Sequence, residues 1–342
     1  MKKNTPPPRY DERNTIFSRM NLAPGTERYR NYYSANPEKE GIDQNLRKPR
    51  DGVFSRKEPE NTAVAALFGF ISRLRKLVQP EQSGKKLKAE PDAAFRELKD
   101  LALTLGAADF GVCRSREEFF YSVRGRGEHY GEKVENTNPY TVVLLWEMDQ
   151  AKTAQAPSIT ETAEVARVYL EAAKGALAVA EFLSRRGYRA KAHIDGESEI
   201  VMPPAAQSAG LGAIGRHGLL VHPVLGSRVR LSAVTTDMPL RLSPPSLFNI
   251  RKFCDTCRAC SRMCPKKAIP GGIADENGYW GRVDHEACYE GWREFGSDCG
   301  VCLAVCPFSG KKRKQEASPG TPGFLKNYMI DSAIPESPRE DR

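Results

Sequence analysis

Apolar residues recur at helical spacing in three stretches of the chain. The first, Ala63 to Ile71, is followed by Arg73, Arg75 and Lys76 and predicts an amphipathic helix. The second starts at Asp92, ends at Gly106, and carries on one face Phe95, Leu98, Leu101, Ala102 and Leu105. The third opens at Ser158-Ile-Thr-Glu161, which has the form of a capping box, and runs to Gly187. Tyr169 lies on its apolar face.

Other apolar runs predict strands. Residues 141–146 form an uninterrupted run with β-branched side chains, typical of a strand buried on both faces. Residues 228–235 alternate between apolar and polar, and residues 109–113 and 188–194 read as shorter strands. Strands separated by helices predict an α/β body over residues 91–245.

Residues 1–90 combine proline, arginine and tyrosine with little periodicity, and 79–91 has the composition of a linker. The aromatic residues predict an extended arm that packs over the body rather than a disordered tail. Residues 246–310 form a cysteine-rich domain, and 311–342 form a C-terminal tail.

The cysteine-rich domain holds the strongest signal in the sequence. Its first run, Cys254 to Cys264 followed by Pro265, has the bacterial ferredoxin spacing C-x2-C-x2-C-x3-C-P. In that pattern the fourth cysteine ligates the other cluster. The second run has three cysteines and ends in Cys306-Pro307, so Cys288 supplies the eighth thiol.

The spacing therefore predicts two interlocked 4Fe-4S clusters. One is assigned to Cys254, Cys257, Cys260 and Cys306. The other is assigned to Cys264, Cys288, Cys299 and Cys302. Two structural zinc sites are the alternative, because C-x2-C pairs also build these.

Composition narrows the picture further. The 342 residues include 52 lysines and arginines against 43 acidic residues, a net charge of +9 scattered except at Lys311, Lys312, Arg313 and Lys314. Eight metal-ligating cysteines of nine are typical of a reducing compartment, and Cys113 is expected to be a buried small side chain. The chain has no apolar leader and no run long enough to span a bilayer, so a cytoplasmic protein is expected; a trimmed export leader is the alternative.

A glycine-rich stretch lies between the third helix and the last strand. Gly210-x-Gly212-x-x-Gly215 matches the bare dinucleotide fingerprint, but it follows a helical stretch instead of a strand. We interpret it as backbone that approaches something flat and bulky without intervening side chains.

Several stretches together resemble the reductive dehalogenases, corrinoid iron–sulfur enzymes related to epoxyqueuosine reductase. The resemblance covers most of the chain and rests on the order and spacing of short motifs, not on any one of them. Besides the eight cysteines, the motifs are Tyr10-Asp-Glu-Arg-Asn-Thr15, Tyr32-Tyr33, Asn36-Pro-Glu38, Glu147-Met-Asp149, Ala209-Gly-Leu-Gly212, Gly215-Arg-His-Gly-Leu-Leu220, Gly226-Ser-Arg-Val-Arg-Leu231 and Thr236-Asp-Met-Pro-Leu240.

The resemblance implies a nitroreductase-like α/β (α+β) core that holds base-off cobalamin, followed by a ferredoxin-like domain with two 4Fe-4S clusters. No Asp-x-His-x-x-Gly motif offers a histidine to the cobalt, which agrees with that arrangement. The cofactor contacts it implies are Gly210, Leu211, Gly212, Gly215 and, as a polar pocket residue, Asp195.

The resemblance also implies the chemistry. Electrons that pass through the two clusters would reduce the cobalt, the carbon–halogen bond of an organohalide would break, and Tyr169 would give its proton to the developing carbanion. The basic partner of Tyr169 is Arg228 or Arg230, between which the sequence does not decide. A neighbouring guanidinium is expected to lower the pKa of the phenol and ease proton donation.

No fused reductase domain is visible, so an external ferredoxin or flavodoxin is the expected electron donor, and no nucleic-acid partner is expected. One rival is an epoxyqueuosine-reductase-like enzyme acting on tRNA, but that enzyme's acid is an aspartate, and here the candidate positions hold Val168 and Tyr169. The other rival is a two-cluster electron carrier without enzymatic activity, against which the size of the α/β body argues.

Overall fold

The computed structural model describes residues 9–50, 52, 53, 60–275, 278 and 280–310. The predicted C-terminal tail, with Lys311, Lys312, Arg313 and Lys314, lies outside the described residues. Within the described part, no helix combines the length and apolar character needed to cross a membrane.

The N-terminal 90 residues and the core contribute most of the helices. These are α1 (Ile16–Met20), α2 (Glu27–Ala35), α3 (Pro37–Arg47), α4 (Glu60–Leu74), α5 (Pro91–Thr104), α6 (Gln150–Thr153), α7 (Ile159–Arg185) and α8 (Met202–Ser208). The cysteine-rich domain adds α9 (Arg251–Cys257), α10 (Ala259–Met263), α11 (His285–Phe295) and α12 (Val301–Ala304). The strands are β1 (Asp109–Arg114), β2 (Tyr140–Glu147), β3 (Ala190–His193), β4 (Ala213–Ile214), β5 (Leu220–Val221) and β6 (Val229–Thr236).

The core is built on a four-stranded sheet of order β1-β2-β6-β3. Every neighbouring pair is antiparallel, with Leu145 opposite Leu231 and Val143 opposite Ala233 in the central pair. Helices and sheet alternate along the chain, as the sequence predicts, but the sheet contains no parallel pair. The mixed fold class is confirmed, in its α+β form.

Both faces of the sheet are covered. Along β2, Val142, Leu144 and Trp146 face the layer formed by α5 and α7. Val143 and Leu145 face a second apolar cluster that includes Ala205 of α8 and Leu220 of β5. Burial on both faces explains why residues 141–146 are apolar without alternation.

The helices predicted from periodicity are present. Gly106 follows the end of α5 with φ +96°, and Gly187 follows α7 with φ +80°, in the left-handed region that ends helices. The helix predicted over 63–71 is the middle of α4, and Cys113 is buried on β1, as expected.

The extended arm was a wrong prediction, because residues 9–50 contain the short helices α1, α2 and α3. The side chains of Thr15 and Thr26 cap α1 and α2 by accepting hydrogen bonds from the amides of Ser18 and Tyr29. Tyr29, Tyr32 and Tyr33 recur at helical spacing and are all buried. The capping residues and this spacing were visible in the sequence, but the proline- and arginine-rich composition obscured them.

The helical arm contacts both the core and the cysteine-rich domain. Buried Glu12 accepts hydrogen bonds from the Gly125 amide and from Arg126 Nε in the core, each at 2.7 Å. Arg19 of α1 donates to Glu286 of α11 at 2.8 Å, and Phe17 packs against Trp292 with 5.5 Å between ring centroids. The arm therefore holds two parts of the protein in a fixed relation.

Alanine substitutions at two helical glycines test the packing of α7 and α4. They should change the free energy of unfolding in opposite directions. A Cβ on Gly175 of α7 would lie 2.3 Å from the Trp146 ring, whereas a Cβ on Gly69 of α4 would meet nothing within 4 Å. Gly175→Ala should therefore lower the free energy of unfolding by about 1–3 kcal/mol through overpacking. Gly69→Ala should raise it by up to about 1 kcal/mol, since alanine is the better helix former. Urea titration followed by circular dichroism measures both, and stabilisation by Gly175→Ala would contradict the described contact.

Candidate functional site

Short helices place the eight thiols of the cysteine-rich domain. Cys254 and Cys257 lie on α9, Cys260 on α10, Cys288 on α11 and Cys302 on α12. Arg258 separates α9 from α10 with φ +49°, a left-handed residue that reverses the chain between two cysteines. The remaining three follow the ends of α10, α11 and α12: Cys264, Cys299 and Cys306.

Neighbouring thiols add to the pKa shifts of the buried cysteines in the two predicted sets, although no three His, Cys, Asp or Glu side chains of the described residues converge closely enough to hold one metal ion. Burial raises the pKa of Cys254 and of Cys260 to about 11, and both are raised further by Cys306 and Cys257. Burial raises the pKa of Cys288 to about 11, and here the neighbouring thiols are Cys299 and Cys264.

Cys302 lies between the two sets. Burial raises its pKa, and the thiols that add to the effect are Cys288, Cys299, Cys260 and Cys264. Three of these belong to the second set and one to the first. Ligation of a cluster by each set remains a prediction.

Arg216 joins the glycine-rich stretch to the first set. Its buried guanidinium donates to the carbonyls of Cys254, Pro270 and Gly272 at 2.6–3.2 Å. Asp255 lies 3.6 Å from it. A buried cation needs such partners, so this side chain fixes the domain against the core.

Arg228 makes a second contact between the core and the cysteine-rich domain. Its Nη1 donates to Glu147 Oε1 at 2.6 Å and to the Met148 carbonyl at 2.8 Å, and its Nε donates to the Ser309 carbonyl at 3.1 Å. Gly226, with φ +62°, lies so close to Phe308 that a Cβ would be 2.4 Å from its backbone. Arg228 is thus tied to the end of the cysteine-rich domain.

Arg230, two residues further on, is the arginine that meets Tyr169. Its Cζ lies 5.2 Å from the centroid of the Tyr169 ring. Nη1 donates to the Val229 carbonyl at 3.2 Å, and Nε is buried without a hydrogen-bond partner among the described residues. The geometry separates the two arginines that the sequence left open, and only Arg230 faces the tyrosine.

The pKa of Tyr169 does not follow the expected direction. Burial raises it above the ordinary value of 10, and Arg230 opposes this without reversing it. The expected effect of the guanidinium is present, but the net lowering was a wrong prediction because desolvation is larger. Tyr169 is therefore a neutral phenol throughout the neutral pH range.

Glu161 lies two turns before Tyr169 on α7. Ser158 caps the helix by accepting a hydrogen bond from the Glu161 amide at 3.0 Å, which is half of the predicted capping box. The other half is missing: Glu161 is fully buried, and neither carboxylate oxygen has a hydrogen-bond partner among the described residues. Burial raises its pKa to about 7, with a further rise from Asp298 and a lowering by Arg230.

Asp298 places the segment that contains Cys299 of the second set beside the start of α7. It precedes Cys299, and its amide donates to Thr162 Oγ1 of α7 at 3.0 Å. Burial raises its pKa to about 6, opposed by Arg230. Gly300 has φ +61°, and a Cβ there would lie 2.5 Å from Glu161 Oε1. The start of α7 and the segment 298–300 are therefore in direct contact.

Asp195 lies at the edge of this group. Its carboxylate is 3.3 Å from Arg75 Nη2, and its carbonyl accepts from Arg75 Nε at 3.0 Å. It raises the pKa of Tyr169, while Arg126, held by Glu12 of the arm, lowers it. A neighbourhood of acidic and basic side chains thus surrounds the phenol.

The glycine-rich stretch, residues 209–218, follows α8 and forms β4 and most of the turn that joins it to β5. Gly210 and Gly212 have φ +82° and +153°, and a Cβ on either would lie 2.3 Å from a carbonyl oxygen, of Pro244 and Val221 respectively. A Cβ on Gly215 would lie 3.0 Å from His217 and Val221. The side chain of Leu211 is buried in the second apolar cluster. Contacts within the chain therefore account for these glycines, and the predicted cofactor contacts of Gly210, Leu211, Gly212 and Gly215 stay predictions.

Sequence reasoning missed Arg216, Glu161, Asp298 and Arg126. Arg216 lies inside a quoted motif but was given no role, and the capping-box pattern assigned Glu161 a different one. A polar residue directly before a cluster cysteine was the visible sign of Asp298.

Glu161 and Glu164 are neighbouring carboxylates on α7. Their contributions to the free energy of unfolding should change with pH in opposite directions. The pKa of Glu161 is raised from 4.5 to about 7 by burial, so its stabilising contribution is present at low pH and is lost as pH rises through 7. Burial alone would raise the pKa of Glu164, but hydrogen bonds from Arg167, the Asp149 amide and Lys152 lower it to about 2. Its contribution is present above 4.5 and is lost as pH falls through 2.

Glu161→Gln in the metal-free chain should stabilise the fold by on the order of 2 kcal/mol at about pH 8, and the gain should vanish near about pH 4.5. Glu164→Gln should destabilise by a similar amount near neutral pH, with a cost that shrinks towards about pH 2. Urea titrations across pH measure both profiles. If the stability of both variants changed with pH in the same way, the different environments described for Glu161 and Glu164 would be contradicted.

Comparison with known proteins places this geometry in context. Residues 253–309 match the 4Fe-4S dicluster domain family. Tetrachloroethene reductive dehalogenase of Desulfitobacterium hafniense is 36% identical over 193 residues, which are 52% of this chain and 34% of that protein. The enzyme of the same name from Sulfurospirillum multivorans is 34% identical over 186 residues, 52% of this chain and 36% of that protein. Epoxyqueuosine reductase of Synechococcus sp. (strain CC9605) is 30% identical over 126 residues, 33% of this chain and 37% of that protein.

Solved structures agree in fold. The catabolic reductive dehalogenase NpRdhA in complex with 3-bromo-4-hydroxybenzoic acid superposes with a TM-score of 0.67 at 28% identity, over 79% of this chain and 39% of that one. A reductive dehalogenase structure linked to a mechanism for B12-dependent dehalogenation superposes with a TM-score of 0.72 at 25% identity, over 94% of this chain and 44% of that one. The matches span about a third of the curated dehalogenases' length and less than half of the solved chains. In sequence and in fold, the chain is a relative of the reductive dehalogenases, with epoxyqueuosine reductase as a further relative.

Proposed function

We propose that the chain is a reductive dehalogenase that depends on two 4Fe-4S clusters and a corrinoid. The reaction takes an organohalide, two electrons and one proton, and releases the product with hydrogen in place of that halogen, together with a halide ion. Its support is the similarity to tetrachloroethene reductive dehalogenases and to a dehalogenase solved with a brominated hydroxybenzoic acid.

The observation that carries the proposal is the placement of Tyr169 against Arg230, near segment 298–300, which contains Cys299 of the second set. A proton donor, a cation and the predicted route of electrons meet at one place in the fold. A reductive cleavage needs these three together, because the substrate receives electrons and a proton.

The chemistry of the donors supports two clusters. Thiolate sulfur is the ligand that iron–sulfur clusters take, and buried cysteines of the domain have other thiols as neighbours. We assign Cys254, Cys257, Cys260 and Cys306 to one cluster, and Cys264, Cys288, Cys299 and Cys302 to the other. The second set adjoins Tyr169 through Asp298.

The unpartnered buried polar atoms fit a corrinoid. Both oxygens of Glu161 and Nε of Arg230 lack partners among the described residues, and burial makes such atoms costly. The amide groups around a corrin ring provide donors for the first and acceptors for the second. The backbone of Gly210, Gly212 and Gly215 and the carboxylate of Asp195 remain proposed contacts. A bound corrinoid would supply the low-potential metal chemistry that breaks the carbon–halogen bond.

The chain's own residues then supply placement and a proton. Burial keeps the Tyr169 hydroxyl protonated, ready to donate to carbon as negative charge develops there. Arg230, stacked on the ring, stabilises the phenolate that remains. Arg228 binds Glu147 at the end of β2 and the Ser309 carbonyl of the cysteine-rich domain. We assign it the structural role of holding these two parts together.

Electrons are proposed to come from a separate ferredoxin or flavodoxin. The thiol content predicts a reducing compartment, and we propose a cytoplasmic location on that ground.

A tRNA-directed reductase is the second candidate, favoured by the 30% identity to epoxyqueuosine reductase. The resemblance implies an aspartate for that enzyme near the positions of Val168 and Tyr169, and here Tyr169 faces Arg230. Deoxygenation of a modified tRNA by the reconstituted chain, without halide release from any organohalide, would establish this candidate instead.

Iron content tests the clusters. Chain reconstituted anaerobically with iron and sulfide should hold about eight irons. Cys288→Ala should lower the content towards about four, because one set loses a ligand. Cys113→Ala is the matched control, since Cys113 is buried on β1 away from both sets. Two zinc ions and no iron would contradict the assignment.

Halide release tests the catalytic pair. With titanium(III) citrate as reductant and bromophenols or chloroethenes as substrates, chain reconstituted with iron, sulfide and cobalamin should release halide. Tyr169→Phe should lower the rate by about 100-fold or more, since it removes the proton donor, with iron and cobalt content unchanged.

The control is Tyr188→Phe, which removes another buried hydroxyl, one that donates to the Leu87 carbonyl. Its turnover should stay near that of the unaltered chain. A Tyr169→Phe rate equal to the control would remove the phenol from the mechanism. Eight irons bound without cobalt would leave an electron carrier.

A further inference from the structure

Positive charge is concentrated on the helices that hold the first cysteine set. Residues 251–267 contain six lysines and arginines and a single acidic residue, Asp255. The whole chain of 342 residues has a net charge of +9, so this short segment carries more than half of the excess. The concentration is easily overlooked in the sequence because cysteines and apolar residues separate the cations.

The one acidic side chain is turned towards the protein. Asp255 Oδ1 accepts hydrogen bonds from Trp280 Nε1 and, at 3.0 Å, from the Ala274 amide, and it lies 3.6 Å from Arg216. Lys252, Arg262 and Lys267 are exposed in the part of the chain that the structure describes. The outward field of this segment is therefore positive.

Apolar side chains lie among these cations. Met263 is 58% exposed, and Ile273 is 72% exposed. Ile273 precedes Ala274, whose amide binds Asp255, and Lys267 Nζ donates to the Arg262 carbonyl at 3.0 Å, so the segments adjoin. Exposed apolar residues rimmed by charge are typical of a protein interaction site.

The same helices carry thiols of the first set. Cys254 and Cys257 are on α9 and Cys260 is on α10, all of them only partly buried, and they line a surface cavity with Phe253 and Arg258. The second set, by contrast, contacts the start of α7 through segment 298–300. A carrier seated on α9 and α10 would thus lie beside Cys254, Cys257 and Cys260, with Cys264 of the second set on the same segment.

We propose that this face, formed by Lys252, Arg262, Met263, Lys267 and Ile273, is the docking surface for an acidic one-electron carrier protein. The inference rests on the proposed role of the cysteine sets as clusters. The carrier is oxidised by one electron, a cluster of this chain is reduced by one electron, and no proton moves. Charge complementarity steers the encounter and sets its rate more than its affinity.

The test is the rate of cluster reduction in the reconstituted chain, followed by stopped-flow absorbance. The probe is a reduced plant-type 2Fe-2S ferredoxin, an acidic carrier, and the small reductant titanium(III) citrate is used alongside it. The variant is Lys252→Glu with Arg262→Glu and Lys267→Glu. The matched control reverses three exposed cations elsewhere, by Lys88→Glu, Arg96→Glu and Lys174→Glu.

The face variant should lose at least about tenfold in its second-order rate with ferredoxin at low salt, and most of its salt dependence. The control should lose much less, and titanium(III) citrate should reduce all three proteins equally. A face variant as fast as the unaltered chain, or a control variant that loses as much of its rate as the face variant, would overturn the proposal. So would loss of RNA binding by the face variant with an unchanged ferredoxin rate, since the face would then serve nucleic acid.

Because the readout is cluster reduction, this result is independent of halide release. A chain that accepts electrons at the face but releases no halide would retain the docking surface and contradict only the proposed function.

Discussion

The position of the cysteine-rich domain against the core depends on the buried guanidinium of Arg216. Arg216 is removed from water, so its charge must be compensated by oxygen atoms within the protein. The carbonyls of Cys254, Pro270 and Gly272 provide this compensation, and they come from two segments of the cysteine-rich domain. The requirement fixes the β4–β5 hairpin against the first thiol set. Arg228 and Gly226 fix the same domain at its other end, so the second set meets the start of α7 in one orientation.

Periodicity and spacing predicted what depends on local sequence. α5, α7 and the long strands follow from apolar patterns, while the division of the thiols between two clusters stays a prediction from the ferredoxin spacing. The choice between Arg228 and Arg230 could not be made in this way. The two residues are separated by one position, so alternation assigns them to the same side of the chain. Distant partners distinguish them: Glu147 and Ser309 bind Arg228, while Tyr169 stacks on Arg230.

Glu161 shows a second way in which a local sequence pattern does not determine where a side chain lies. A Ser-x-x-Glu pattern is the same whether the carboxylate returns to the cap or turns inward. The outcome was determined by residues far along the chain, because Gly300 leaves room for the carboxylate and Asp298 binds the neighbouring Thr162. The N-terminal helices were missed for the opposite reason. Their caps were local and visible, but composition was weighted above them.

The interlocked cysteine sets constrain the order in which the protein can mature. With the proposed division, the second set is complete only when Cys302 has been synthesised, and the first only at Cys306. Neither cofactor can be fully ligated while the ribosome is still translating the core. The arm is made first, yet its partners Glu286 and Trp292 on α11 emerge near the end. With that division, metal insertion and the contact of the arm with α11 would both come late, after residues 285–306 have been made.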